Sequence, residues 1–179
     1  MPSQNTVYII CGRTGAGKTT LSKKIASELR AFRISHDEWL LTAFGSDIQQ
    51  ADFKTCCERI NELIWRQVEQ AITCGIDVIL EGWGGRELRD QARQVLTQRN
   101  IHHQFITIEC PKEVRLERVM RRNKSLNDEG FHITEEDFQR MEELEEGFGA
   151  DEQCIVLHNS VNNSHPIITP ELISSLKRE

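Results

Sequence analysis

Apolar residues along the chain alternate between two spacings. Short runs rich in β-branched and apolar residues fall at Val7–Cys11, Phe32–Ser35, Asp77–Leu80, Gln104–Glu109 and Cys154–Leu157. Each has the length and composition of a buried strand. Between them the apolar positions recur every three or four residues, the period of a helix with one buried face. Leu21, Ile25 and Leu29 form one such stripe. Phe53, Cys56, Cys57, Ile60, Leu63, Ile64, Val68, Ala71 and Ile72 form a longer one, and Leu88, Ala92, Val95 and Leu96 a third. In "CPKEVRLERVMRR" a proline stands at the expected first helical position, where its missing N–H costs nothing. Thr134 and Asp137 stand at capping-box spacing and mark another helix start. Strands alternating with helices in this way predict an α/β fold, a parallel sheet with helices on both faces.

The chain has 179 residues, and residues 1–179 read as a single domain. No repeat or low-complexity stretch divides it. The stretch 123–132, "NKSLNDEGFH", is polar, turn-rich and without periodicity, and reads as a flap between two helical segments. The chain ends in a loop and a short helix within "NNSHPIITPELISSLKRE".

Composition narrows the partners. With 28 acidic against 22 basic residues and a formal charge of −6, the balance argues against sequence-independent binding to duplex nucleic acid, which needs a basic face, and leaves room for a local basic patch. The six cysteines show no C-x-x-C and no zinc spacing, so they read as reduced, largely buried thiols. No signal peptide is visible, and no apolar run approaches the ~20 residues that span a bilayer. The expectation is a soluble, cytoplasmic protein with no membrane partner.

The chemistry begins directly behind the first strand. Gly12, Arg13, Thr14, Gly15, Ala16, Gly17, Lys18 and Thr19 fit G-x-x-x-x-G-K-[ST]. Glycines let the backbone approach a phosphate closely with its N–H groups turned inward, and the following helix adds its positive end. Lys18 would reach the β- and γ-phosphates, the Thr19 hydroxyl would ligate Mg²⁺, and Thr20 opens the helix beside them. The N-K of "NKSL" lacks the aspartate of a guanine-reading loop, which favours ATP over GTP.

Acidic residues follow two other strands. Asp37 and Glu38 come just after the second, and Glu81 ends the third. In a parallel sheet both strand ends share the edge that carries the glycine loop. Asp37 there can accept a proton from a substrate hydroxyl, or else cap the next helix. Glu81 can hold the metal shell, or else be a solvated cap. Trp39 and Trp83 can wall an acceptor site or pack in the core. Arg86 and Arg89 can bind an anionic substrate group or lie on the surface. His36 reads as structural, and His102 and His103 as a strand-edge pair. Arg115, Arg118 and Arg122 share one helical face, which can meet phosphoryl oxygens or pair with the acidic "EELEE" of 142–146.

"IICGRTGAGKTTLSKKIA", "ISHDEWL", "VILEGWGGRELRDQAR" and "ITIECPKEVRLERVMRRN" together resemble the landmark segments of small P-loop kinases, the relatives of zeta toxin, chloramphenicol phosphotransferase and polynucleotide kinase. The resemblance covers about residues 6–160. It implies a three-layer P-loop NTPase fold like that of nucleoside-monophosphate kinases, with a five-stranded sheet of order 2-3-1-4-5. It also implies a lid segment at about 118–134, with Asp37 contacting the acceptor hydroxyl and Arg118, Arg121 and Arg122 embracing the triphosphate. The expected activity is ATP- and Mg²⁺-dependent phosphoryl transfer to a hydroxyl of a small molecule. The alternative is a nucleotide-dependent switch or regulatory ATPase that acts on a protein partner. Lys18→Ala is predicted to abolish ATP binding in calorimetry; retained micromolar affinity would remove the basis of the phosphate-loop reading.

Overall fold

The computed structural model describes residues 5–45, 50–124, 131–159 and 168–176. In chain order the elements are β1 (Thr6–Cys11), α1 (Lys18–Leu29), β2 (Phe32–Ser35), α2 (His36–Phe44), α3 (Gln50–Thr73), β3 (Val78–Glu81), α4 (Arg86–Gln98), β4 (His102–Glu109), α5 (Lys112–Asn123), α6 (Glu135–Leu144), β5 (Ile155–His158) and α7 (Pro170–Leu176). All strand pairs are parallel, in the order β2-β3-β1-β4-β5. This is the α/β architecture and strand order expected from the sequence.

The central strand shows why the sheet is a middle layer. Side chains alternate across a strand, and in β1 both sets are apolar. Val7, Ile9 and Cys11 pack into a core with Ile60, Ile64 and Val68 of α3 and Ala92 and Leu96 of α4. Tyr8 and Ile10 enter the opposite core with Leu21 and Ile25 of α1 and Ile173 and Leu176 of α7. The Tyr8 hydroxyl also donates to the Leu176 carbonyl, fastening α7 to the sheet. Burial on both faces is what a parallel sheet requires. A smaller cluster of Val119, Ile133 and Phe138 joins α5 to α6.

Element boundaries differ by a residue or two from the sequence reading. α2, marked in the sequence only as the helix that Asp37 could cap, begins at the residue after β2, with no loop. Ser35 is its N-cap, its hydroxyl accepting from the Glu38 N–H at 3.5 Å. Asp37 therefore lies inside the first helical turn and is not the cap. Thr134 does cap α6: its hydroxyl accepts from the Asp137 N–H at 3.1 Å, and the Asp137 carboxylate accepts from the Thr134 N–H at 3.4 Å. Pro111 stands one position earlier than expected, as the N-cap of α5. Most of the flap, residues 125–130, and the loop at 160–167 lie outside the described residues.

Strand register sets the functional edge. Glu81 lies opposite Ile10 of β1 and opposite Ser35 of β2. The residues just beyond these, Gly12, Gly82 and Asp37, therefore leave the sheet at one level and on the same edge. Gly82 follows Glu81 with φ +124°, and a Cβ there would lie 2.7 Å from the His36 Cβ. Only glycine lets the β3 exit pass this close to the start of α2.

Candidate active site at the carboxyl edge of the sheet

The glycine loop turns between β1 and α1. At Gly15, φ is +81° and a Cβ would lie 2.6 Å from the Arg115 carbonyl oxygen, so a side chain is excluded both by conformation and by space. The Lys18 ammonium donates to the carbonyl oxygens of Gly12 at 2.7 Å and Arg13 at 3.2 Å, which holds it across the loop. Thr20 faces solvent at the start of α1.

Glu81 is buried and is not a solvated cap. Its Oε1 accepts from the Thr19 hydroxyl at 2.5 Å. Its Oε2 accepts from the Ser22 hydroxyl and from Arg33 Nη2, both at 2.7 Å. Arg33 Nε also donates to Ser22 Oγ at 2.8 Å, and its fork spans the Glu38 carboxylate at 2.7 and 2.9 Å. A hydroxyl has one proton and two lone pairs. Donating to Glu81 therefore leaves the oxygen of Thr19 able to face a cation. Hard oxygen donors of this kind suit Mg²⁺, which is commonly bound by one or two protein groups together with phosphate oxygens. Among the described residues there is no group of three His, Cys, Asp or Glu that would hold a metal alone.

Asp37 opens toward solvent, its side chain 62% exposed, with His36 Nδ1 at 3.5 Å. Partial desolvation raises its carboxyl, but the His36 hydrogen bond and the positive charges around it, Lys18 and Arg122 among them, outweigh that effect. They hold it below the usual aspartate range. Asp37 is thus an ionised carboxylate within the field of the loop lysine and an α5 arginine.

The arginines of α5 divide. Arg115 is buried, and its guanidinium spans the Glu142 carboxylate of α6 at 2.5 and 2.6 Å while donating to the Thr14 carbonyl at 3.3 Å. Arg13 reaches the same carboxylate at 2.9 Å and the Glu145 carbonyl at 3.1 Å. The acidic stretch at 142–146 thus pairs with Arg115 through Glu142, and the guanidinium of Arg13 turns toward α6. Arg118 donates to the Asn159 side-chain oxygen at 3.2 Å and to Cys110 Sγ at 3.5 Å. Arg122 donates to the Phe131 carbonyl at 3.2 Å, and Arg121 is exposed.

Arg89 is neither on the surface nor available to an anion. It is 1% exposed and pairs with Glu152 of the loop before β5 at 2.7 and 2.8 Å. It also donates to the carbonyls of Gly84, Glu146 and Gly147, and lies 4.2 Å from the centre of the Phe148 ring. The third apolar stripe is altered accordingly, with Leu88 exposed and Arg89 buried in its place. Arg86 pairs with Asp151 on the surface. Trp83 is also core: it packs against Trp65, and its carbonyl accepts from the Cys11 thiol at 3.0 Å. Burial pushes that thiol up to about 12, so Cys11 is inert. Trp39 is half-buried against the same core. His102 bonds the Thr6 hydroxyl at 3.0 Å where the strands begin, at the opposite edge.

A cavity of about 810 Å³ lies beside the loop, bounded by Gly12, Arg13, Gly84, Arg89, Glu145 and Phe148. Two participants went unnoticed in the sequence, Arg33 and Asn159. Neither left a signal, whereas Glu142 was marked as the first residue of the acidic stretch.

A family model described as an AAA domain matches residues 7–146. The chain belongs to that family. It is 27% identical to shikimate kinase 2 of Photorhabdus laumondii over 182 residues, covering 98% of this chain and 95% of that protein. A candidate kinase of Chloroflexus aurantiacus superposes with a TM-score of 0.76 at 15% identity, covering 99% of this chain and 96% of the other. A gluconokinase of Sinorhizobium meliloti gives 0.55 at 14% identity, covering 87% and 82%. These two likenesses concern the fold.

The ion pairs predict an uneven stability map. Arg89 holds the Glu152 carboxyl far below the ordinary glutamate value of 4.5. A depressed carboxyl stabilises the fold fully above its unfolded value and loses that contribution as pH falls below it. Stability from this pair should be flat between about pH 6 and pH 8 and decline below about 4.5. Glu152→Gln should cost about 3 kcal/mol in urea denaturation, since it strands a buried guanidinium. Arg86→Ala, at the exposed pair, should cost far less, because solvent screens that pair. Equal costs at the two sites would contradict the assignment.

Proposed function

We propose that the protein is an ATP- and Mg²⁺-dependent kinase that transfers the γ-phosphoryl group to a hydroxyl of a small molecule. One observation carries the reading. The Thr19 hydroxyl rests on the buried Glu81 carboxylate at 2.5 Å, on the same sheet edge from which Asp37 projects in the field of Lys18. A metal side and an acceptor side thus flank one phosphate loop. The resemblance to shikimate kinase 2 across nearly the whole chain supports the same class of reaction.

In this reading the loop amides of Gly12, Gly15, Ala16 and Gly17, with Arg13 and Thr14, surround the phosphates, and Lys18 leaves its carbonyl partners to meet them. Thr19 and Glu81 hold the metal side, Thr19 directly and Glu81 through the Thr19 hydroxyl or as a ligand. Mg²⁺, when bound, neutralises charge on the phosphoryl oxygens. Asp37 accepts a hydrogen bond, and then the proton, from the acceptor hydroxyl, and so orients it for attack. Arg118 and Arg122 offset charge on the triphosphate from α5, and Arg121 is the outlying member of that set. Arg86 and Arg89, both held in ion pairs, have no part in binding the acceptor. The acceptor is a small molecule, with no nucleic-acid or membrane partner, and the setting is cytoplasmic.

The test is transfer from γ-labelled ATP into a fractionated small-molecule extract of the protein's own cells, with Asp37→Asn alongside. The expected result is a labelled organic product formed by the parent, while Asp37→Asn binds ATP normally and transfers at least a hundredfold more slowly, a loss of about 2.7 kcal/mol in transition-state stabilisation. Label released only as inorganic phosphate, at one rate in every fraction, would overturn the kinase reading in favour of a nucleotide-dependent switch.

A further inference from the structure

Asn159 follows β5 immediately and is 1% exposed. Its side chain bridges two groups that the proposed reaction uses. The amide nitrogen donates to the Ala16 carbonyl of the phosphate loop at 2.8 Å. The amide oxygen accepts from Arg118 Nη2 at 3.2 Å. Its own backbone N–H donates to the Glu109 carbonyl at 2.8 Å, which fixes the residue to the end of β4.

The two partners dictate the side chain. A carbonyl only accepts and a guanidinium only donates, so the group between them must donate at one end and accept at the other. A carboxamide does both, an ionised carboxylate cannot donate, and an apolar group does neither. Within a trans peptide the C=O and the following N–H point in opposite directions. Holding the Ala16 carbonyl therefore also sets the direction of the Gly17 N–H, one of the loop amides.

We propose that Asn159 is a positioning residue for the nucleotide: it fixes the Ala16–Gly17 peptide and the Arg118 guanidinium relative to each other, so that loop and arginine engage one triphosphate together. The inference rests on the functional reading above, in which Arg118 meets the nucleotide. It adds a residue from the far end of the chain that neither the glycine-loop motif nor the lid arginines contain.

The test is a double-mutant cycle on binding of N-methylanthraniloyl-ATP with Mg²⁺, followed by fluorescence. Asn159→Leu is expected to raise the Kd at least tenfold, and Arg118→Met at least fivefold. In the double variant the combined loss should fall short of the product of the two by threefold or more, because each change removes the same alignment. A thermal melt of each variant checks folding. If Asn159→Leu does not fold, Asn159→Ser, too short to reach both partners, is read through the same cycle. A purely structural role for Asn159 would weaken binding equally with and without Arg118, so losses that multiply to within twofold would overturn the inference. An Asn159 variant binding within twofold of the parent would overturn it as well. If Arg118→Met alone left binding within twofold, the placement of Arg118 on the nucleotide would fall first, and the inference with it.

Discussion

A carboxylate without water must be answered by donors, and in this fold Glu81 is the carboxylate on which the site depends. Thr19 and Ser22 of α1 and Arg33 of β2 all donate to it from outside its own strand. The central edge of the sheet is thereby tied to the first turns of the phosphate-loop helix and to the strand that launches α2. Glu38 completes the arrangement by taking both ends of the Arg33 fork. The guanidinium also holds the Glu38 carboxyl below its ordinary value. Isolated burial of so much charge would cost several kcal/mol per ion, whereas a network of hydrogen-bonded ion pairs limits that cost. The result is a fixed corner at the sheet edge, with the solvent-facing Asp37 next to Glu38 in the first turn of α2.

Two further ion pairs extend the same logic to the opposite wall. Glu142 draws Arg115 and Arg13 together and so joins α6 to the phosphate loop, while Glu152 and Arg89 brace the 146–152 loop against the turn after β3. Neither pair is evidence of great stability in itself, since buried ion pairs roughly break even against apolar packing. Their value is geometric. They fix the walls of the cavity beside the loop and engage Arg13, Arg89 and Arg115, as the Glu81 network engages Arg33. In the proposed reading Lys18, Arg118 and Arg122 are the cations that meet the nucleotide.

The sequence made the sheet legible because apolar runs of strand length alternate with helical stripes, and because the glycine loop can work only between a strand and a helix. Asp37 and Glu81 were legible for the same reason, since a strand end in a parallel sheet fixes the edge on which they lie. The rest depended on pairings between distant residues. Arg89 looks like a surface residue until Glu152, far along the chain, is brought beside it. Trp83 follows a strand end, as an acceptor wall would, yet its ring turns into the core against Trp65. Arg33 alternates within an ordinary short strand, and Asn159 sits in no motif. α2 was legible only as a helix that Asp37 could cap, because it starts without a loop and offers only a short apolar stripe.

The central claim is that Glu81 and Thr19 form the metal side of a nucleotide site, and Glu81→Gln tests it most directly. The measurement is ATP affinity by calorimetry with and without Mg²⁺. In the parent, Mg²⁺ should raise affinity at least tenfold. Glu81→Gln should keep the metal-free affinity within about threefold, roughly 0.65 kcal/mol, and lose most of the Mg²⁺ gain. A variant that retained the full gain would contradict the account.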